Sequence, residues 1–432
     1  MMRMKRVLTL ANAEMRLTRR LVRYWVFLFG CYLFGLVAYL YYSLIHGFFS
    51  SHSATVATIG PRFLIGAFGI YLFLVFMVGV VFLGFDVRAR DRRERMTEVL
   101  DSRPYTNLEL VAGKFLGLLL PTWIPIVILA GIWQALGLLL PALGAPFGDT
   151  LEPTSVLAFV FFMTLPGLAF ALALVFLVTL LARNRLLAAV LLLVIFGLDS
   201  WAAFSLPLIY LPIFDISGAF TVNFPSDVIP SFSDNVGWFQ RFAVLIAAMS
   251  FIGFGAAVHP RLDGGSRMRT AAVALGLFIF AALLSGFGVV QRSQSLKLIE
   301  RWGDAHAARV GVPVPDLQSI SGEVRVDPGR NLALELDLVF RAPSGESMDK
   351  ALFTLNPGLE ILSARDASGE DLTFTFENGL LDLHLPGPLE DEEARVHLSI
   401  GGLPERRFAY LYSARIPEAM KAADANLFLL GY

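Results

Sequence analysis

The sequence predicts a polytopic α-helical membrane protein with an all-β domain at its C-terminal end. The 432-residue chain is 56% hydrophobic and only 16% charged, whereas soluble domains are typically about 45–50% apolar and about 25% charged. The long apolar runs are confined to residues 1–290. From about residue 321 the apolar residues recur at every second position, which is the period of a half-buried strand.

The composition excludes an ordinary soluble enzyme, a disordered protein and a nucleic-acid binder. The formal net charge is −1, so the chain has no overall basic field that would attract phosphates. Residues 291–432 hold 14 basic and 22 acidic residues, and the remainder holds 21 basic and 14 acidic residues, which indicates two parts. Cys31 is the single cysteine, so neither an intrachain disulfide nor a cysteine metal cluster can form.

Seven segments have the roughly 20 mostly apolar residues that a helix needs to cross about 30 Å of hydrocarbon. They lie at residues 24–46, 63–85, 114–140, 155–182, 186–206, 240–258 and 271–290. The N-terminus and alternate connections hold 19 Lys and Arg residues, whereas the other three connections hold only Arg62. The positive-inside rule therefore predicts a cytoplasmic N-terminus and an external C-terminal domain. In a bacterium, the chain would lie in the cytoplasmic (inner) membrane with this domain in the periplasm.

The residues before the first span predict an amphipathic helix on the cytoplasmic side, within residues 1–23. Apolar residues recur at helical spacing from Leu10 through Ala13 and Leu17, and four arginines lie off that stripe. Such a basic helix is suited to the anionic inner leaflet. The alternative is a charged flank that only sets topology.

Residues 86–114 form the cytoplasmic loop with the most informative pattern. Helical periodicity extends from about Asp91 to Asp101, and Arg103-Pro104 ends it because a residue before proline disfavours the helical conformation. Thr106-x-x-Glu109 then matches a capping box that starts the next helix. The loop therefore predicts a rigid knob for a cytoplasmic partner. Its candidate docking residues are Glu94, Arg95, Met96, Glu98, Val99, Leu100, Asp101, Arg103 and Pro104.

Residues 93–114 (RERMTEVLDSRPYTNLELVAGK) resemble the cytoplasmic loop of ABC-2-type (type-2 ABC) export permeases, with its acidic stretch, proline turn and Gly-Lys before the third span. The resemblance covers about residues 1–260. It implies a six-span permease core at 24–260, an ATPase-docking loop at 86–114 and an external hairpin at 207–239. The predicted seventh span, at 261–290, departs from that family.

The chain lacks the Gly-x-x-x-x-Gly-Lys-Ser/Thr phosphate-binding motif, so we predict a transport subunit rather than an enzyme. The resemblance implies a separate cytoplasmic ATPase that binds ATP and magnesium, and a second permease half, identical or different. No cofactor is expected in this chain, and membrane lipid is an expected partner.

Asp199 lies within the fifth predicted span. A carboxylate there costs several kcal/mol, so intramembrane acids are functional hypotheses by default. We therefore consider Asp199 as a substrate-path residue, against the alternative of an interfacial carboxylate hydrogen-bonded to a neighbouring helix. Gln134 and Asn184 are expected to be structural.

The C-terminal residues predict a linker at 291–320 and an antiparallel β-sandwich at 321–432. Apolar residues alternate with polar ones along Leu332–Phe340, 381–385 and 396–400. Asn356-Pro357-Gly358 and Asn378-Gly379 are turn signals. One buried face per sheet is therefore expected.

Residues 358–386 resemble the front β-domain of aminopeptidase-N-like zinc peptidases. No His-Glu-x-x-His motif occurs, and the six histidines show no zinc-ligand spacing, so the catalytic part is absent. The sequence ends in what looks like the middle of that fold. Either a separate periplasmic peptidase-like partner supplies the rest, or the peptidase part belongs to a longer chain, or the domain is a pure binding module.

Three hypotheses follow. The chain is an export permease whose external domain binds substrate or a partner, a membrane-tethered platform for a peptidase, or a mechanotransmission subunit that moves the external domain without transport. The 86–114 loop discriminates among them, because only the first and third require an ATPase-docking element.

Overall fold

The computed structural model describes residues 3–49, 75–85, 104–148, 150–182, 184–218, 233–261, 263–390, 392–405 and 407–408. The chain divides into two compact units. The first contains the helices up to Arg292, and the second begins at Ser293 and contains the β-sheets.

The first unit is built from apolar helices. They are α1 (Met4–Arg19), α2 (Val22–Phe49), α3 (Val75–Gly84), α4 (Asn107–Ala142), α5 (Pro153–Leu181, with a π-helical stretch at Ala158–Thr164), α6 (Arg185–Ser205), α7 (Leu211–Phe214), α8 (Asn235–Val258) and α9 (Arg267–Ala307). Among the described residues, six of these helices are long and apolar enough to cross a membrane. The chain therefore has the character of a multi-pass membrane protein. Of the predicted span 63–85, only the part from residue 75 is described.

Helix α1 packs along α4 through two glycines. A Cβ at Gly113 would lie 2.5 Å from Leu10 Cβ, and one at Gly117 would lie 2.5 Å from Glu14 Cβ. The buried side chains of α1 are Val7, Leu10, Ala11, Glu14 and Thr18. The buried face differs from the expected apolar stripe, and Ala13 of that stripe is exposed. The difference arises because α1 packs closely against α4 at Gly113 and Gly117.

Helix α4 contains a proline, Pro125, and a tyrosine of α2 replaces the hydrogen bond that this proline removes. Pro125 has no N–H, so it cannot bond the carbonyl of Pro121. The Tyr24 hydroxyl donates to that carbonyl at 3.0 Å, and the Tyr32 hydroxyl donates to the Pro125 carbonyl at 3.0 Å. A replacement donor such as the Tyr24 hydroxyl makes a proline tolerable in a membrane helix.

The second unit contains the end of α9 and seven antiparallel strands. These are β1 (Asp316–Asp327), β2 (Asn331–Arg341), β3 (Met348–Thr354), β4 (Leu359–Asp366), β5 (Phe374–Glu377), β6 (Leu380–Leu389) and β7 (Glu393–Gly402). One sheet has the order β1-β2-β7-β4 and the other has the order β3-β6-β5. The first strand starts before the predicted boundary at 321, and helix α9 occupies the predicted linker up to Ala307.

The expected alternation buries one side of each sheet. Leu338 and Phe340 of β2 pack with Leu381, Leu383 and Leu398 in one core cluster. The predicted Asn378-Gly379 turn joins β5 to β6, with φ of 54° and 80° at its two residues. Both values lie in the left-handed region that Asn and Gly accommodate most readily. Residues 409–432 of the predicted domain lie outside the described residues.

Candidate functional site

Of the nine predicted docking residues, the structure describes only Pro104. Glu94, Arg95, Met96, Glu98, Val99, Leu100, Asp101 and Arg103 lie outside the described residues. The site is therefore built here from the point at which the 86–114 loop enters α4.

The predicted capping box at this point is present. The Thr106 hydroxyl accepts from the Glu109 N–H at 3.2 Å, and the Glu109 carboxylate accepts from the Thr106 N–H at 3.1 Å. Two of the unpaired N–H groups at the start of α4 are satisfied in this way. The segment Pro104–Thr106 is therefore fixed to the first turn of the helix.

Glu109 also fixes the start of α1 to α4. Its carboxylate is 1% exposed and accepts from the Arg3 N–H at 2.8 Å. Arg6 Nη1 lies 3.6 Å from Glu109 Oε2, and the Arg6 guanidinium also donates to the Pro104 carbonyl. The Arg6 guanidinium lies 6.0 Å from the centre of the Tyr105 ring, within cation–π range.

The other side of Pro104–Thr106 is tied to the connection between α8 and α9. Asp263 accepts from the Asn107 N–H at 2.7 Å, and the Asn107 side chain donates to the Arg261 carbonyl at 2.9 Å. The Arg261 guanidinium donates to the Tyr105 carbonyl. Three parts of the chain, at residues 3–6, 104–109 and 261–263, thus meet in one hydrogen-bonded set, which we call the Glu109 junction.

The Glu109 junction joins three parts of the chain through a buried carboxylate and its donors. Pulling these parts away from the buried Glu109 carboxylate would leave hydrogen-bond donors unpaired. The free-energy cost of an unpaired buried donor exceeds the net free energy that its hydrogen bond contributes. A force on the 86–103 loop would therefore move α1, α4 and the 261–263 connection together. Sequence reasoning identified Thr106 and Glu109, but counted Arg6 and Arg261 only as topological charges.

A second polar cluster surrounds the candidate substrate-path residue. Asp199 on α6 is half-buried and lies within electrostatic range of Asp215 and Arg241. Asp215 follows α7, in the predicted hairpin, and is 1% exposed; Arg241 on α8 is 2% exposed. These three residues and Gln240 form what we call the Asp199 cluster.

Within the Asp199 cluster, Arg241 binds the hairpin backbone. Its guanidinium donates to the carbonyls of Ile216, at 3.0 Å, and Asp215, while Gln240 donates to the Asp215 carbonyl at 2.6 Å. Asp215 Oδ1 accepts from the Gly218 N–H at 2.8 Å. No hydrogen bond of the Asp199 carboxylate to another described residue is present. The sequence suggested Asp199 alone, since nothing local connects it to residues 215 and 241.

Two further polar residues have the structural roles expected of them. Gln134 exchanges hydrogen bonds with both backbone groups of Leu151, at 2.8 and 3.1 Å. Asn184 caps α6 by accepting from the Leu186 N–H at 2.9 Å.

One open cavity of about 170 Å³ lies where α2 and α4 end, lined by Ser43, His46 and Pro146 among others. Sites for drug-sized ligands typically occupy about 300–1,000 Å³, so the cavity does not qualify as a cargo site.

The histidines of the β-domain are strand residues. His397 Nδ1 lies 2.9 Å from Asp337 Oδ1, and its Nε2 lies 3.2 Å from Glu335 Oε2. The hydrogen bond to Asp337, with a further contribution from Glu335, raises the pKa of His397. Among the described residues, no group of three or more His, Cys, Asp or Glu side chains has a metal-binding arrangement.

Comparison with known proteins assigns the chain to no family. No family model matches the chain, and no curated protein matches it. Among solved structures, it is similar to an M1 zinc metallopeptidase from Deinococcus radiodurans bound to a Tyr-Ser-Ala substrate, with 24% identity and a TM-score of 0.20. The match covers 21% of each chain. Zinc peptidases are also the class of protein that residues 358–386 resemble in sequence.

Proposed function

We propose that the chain is the membrane-spanning permease subunit of an ATP-driven ABC exporter in the inner membrane. In this proposal a separate cytoplasmic ATPase, which binds ATP and magnesium, docks on the loop at residues 86–114. A second permease half completes the membrane pathway, and the external β-domain binds substrate or a partner such as a peptidase-like protein.

The observation that carries the proposal is the Glu109 junction. A loop that only set topology would need no buried carboxylate at its end and no ties to two other parts of the chain. Here Glu109 bonds the start of α1, and Asn107 bonds Asp263 just before α9. Movement of a docked ATPase would therefore reach three helices at once.

The Asp199 cluster is the proposed contact with the transport path. Arg241 binds the carbonyls after α7, which leaves Asp199 as the carboxylate without a hydrogen bond to a described residue. Asp199→Asn is expected to lower cargo export, because the substitution removes the titratable carboxyl group while keeping the side-chain size. Export at the wild-type rate from membranes with equal amounts of protein would assign Asp199 a structural role.

The docking proposal is tested by exchanging loop charges for alanine. Glu94→Ala, Arg95→Ala and Glu98→Ala together are expected to abolish co-purification of a nucleotide-hydrolysing chain with the tagged full-length protein. The matched control is Glu300→Ala, Arg301→Ala and Asp304→Ala, which removes the same charges from exposed positions of α9. Equal ATPase recovery from both variants would contradict the docking assignment.

A specific observation also favours mechanotransmission as the second candidate. Helix α9 is uninterrupted from Arg267 to Ala307 and contributes residues to both units. In the second unit Trp302 packs edge-on against Phe408, and the His306 ring lies 3.0 Å from the Asn378 carbonyl oxygen. The measurement is protease cleavage of the β-domain with and without ATP hydrolysis by the partner. A change in cleavage with no export of cargo would favour mechanotransmission.

A further inference from the structure

Strand β1 is an edge strand whose apolar side is uncovered. Its apolar residues Leu317, Ile320, Val324 and Val326 remain 40–58% exposed. Their partners on β2 are the core-side residues Phe340, Leu338, Leu334 and Leu332. The core side of the sheet therefore continues into β1 without any cover from the described chain. No described strand pairs with the outer edge of β1.

The opposite edge of the same sheet, strand β4, has features that protect it from pairing with another chain. Strand β4 is shorter and has a register shift between Ile361 and Ser363. Arg365 pairs with Asp371 beyond the strand, through both a β-bridge and a 3.1 Å ion pair. Short, bulged and partly covered edges are the usual protection against pairing with another chain. The twelve-residue β1 is longer, and its one register shift lies near its start, between Leu317 and Ser319, so that its edge runs regularly from Ser319 to Asp327.

We propose that β1 is a contact surface for a second copy of this chain, with the two β1 strands paired antiparallel about a two-fold axis at Val324. The charge pattern of β1 favours a second copy of this chain as the partner. In that register Glu323 of each copy lies opposite Arg325 of the other, whereas a parallel in-register pairing would place like charges side by side. Opposite charges across a strand pair stabilise it, and like charges destabilise it.

The pairing is self-complementary on both sides of the sheet. On the polar side, two Glu323 and two Arg325 side chains alternate in sign across the strand pair. Within each strand, Glu323 and Arg325 already form a 2.9 Å ion pair. On the apolar side, Val324 lies against Val324 of the second copy and loses much of its exposure. The unpaired backbone groups of the edge are satisfied at the same time. This contact rests on the second permease half of the proposed function and deepens it, because it makes that half a second copy of this chain and gives it a contact surface. Its test requires neither nucleotide nor cargo.

The first test is disulfide crosslinking of the full-length chain in its membrane. Val324→Cys is expected to form a dimer of twice the chain mass on mild oxidation, and the wild-type chain is a suitable background because Cys31 is buried. Leu362→Cys, which is 65% exposed on β4, is the control and is expected to stay monomeric. The proposal is overturned if Val324→Cys fails to crosslink, crosslinks no more than Leu362→Cys, or crosslinks to a different chain.

The second test reverses the charges in the Val324→Cys background. Glu323→Arg or Arg325→Glu alone is expected to lower dimer formation about tenfold, since two attractive pairs become repulsive. The double exchange is expected to restore it, as is mixing the two single variants in one membrane. Single variants that crosslink normally, or a double exchange that stays as weak as the singles, would refute the antiparallel register.

Discussion

Substitution of Glu109 by alanine is the sharpest test of the Glu109 junction. The change removes the acceptor for the Arg3 and Thr106 N–H groups, at 2.8 and 3.1 Å, from a site that is 1% exposed. Buried donors left unpaired cost about 1–3 kcal/mol. The Arg6 pair adds less than about 1 kcal/mol, because Arg6 is partly exposed and solvent screens it. We therefore expect a total loss of about 1–4 kcal/mol.

The loss is measured as the apparent melting temperature of the full-length chain in detergent. The helical unit, which extends to Arg292, is expected to lose about 2–6 °C, from the per-residue unfolding entropy of globular proteins. Asn184→Ala is the matched control, because it removes a cap at an exposed helix start, which costs about 1 kcal/mol. A shift for Glu109→Ala no larger than that of Asn184→Ala would refute the reasoning.

Three other substitutions probe the remaining packing and charges. Gly117→Val is expected to cost about 1–3 kcal/mol by forcing α1 from α4, whereas Gly131→Val on the same helix meets open space and is expected to be nearly neutral in the same melting assay. Arg241→Leu is expected to lower the melting temperature and to speed protease cleavage in the 207–239 hairpin, since it removes the donors to the hairpin carbonyls; unchanged cleavage would count against that role. The raised pKa of His397 predicts that its contribution to β-domain stability is present below about pH 6.5 and is lost as the pH rises through the folded-state pKa. Hydrogen exchange of β2 and β7 is expected to slow at pH 6 relative to pH 8, and His397→Gln should abolish this difference beyond the intrinsic pH effect.

Local patterns predicted the elements whose causes are local. The Thr106–Glu109 capping box involves residues within one helical turn, and the Asn378-Gly379 turn follows from backbone conformations that these two residues accept. The alternation of leucines along β2 indicated which side would be buried. Because each of these features is decided within a few residues, the sequence alone was sufficient.

The features that were missed depend on contacts between distant residues. The buried face of α1 includes Glu14 and Thr18, which no hydrophobic pattern would select; it is set by the space that Gly113 and Gly117 leave on α4. Likewise, the partner of Asn107 is Asp263, which is far away in the chain. Such contacts arise from the packing of helices against one another, which cannot be inferred from the hydrophobic period of a single helix.

The central claim is that the loop before α4 receives force from a chain that hydrolyses nucleotide. A photocrosslinking amino acid at position 96, in the full-length chain within its native membrane, tests it most directly, with the same group at position 362 as control. The account predicts one crosslinked product at position 96, containing a protein that is also labelled by a photoreactive ATP analogue, and none at position 362. Crosslinking at position 96 only to lipid, or to proteins that do not bind the analogue, would contradict the account.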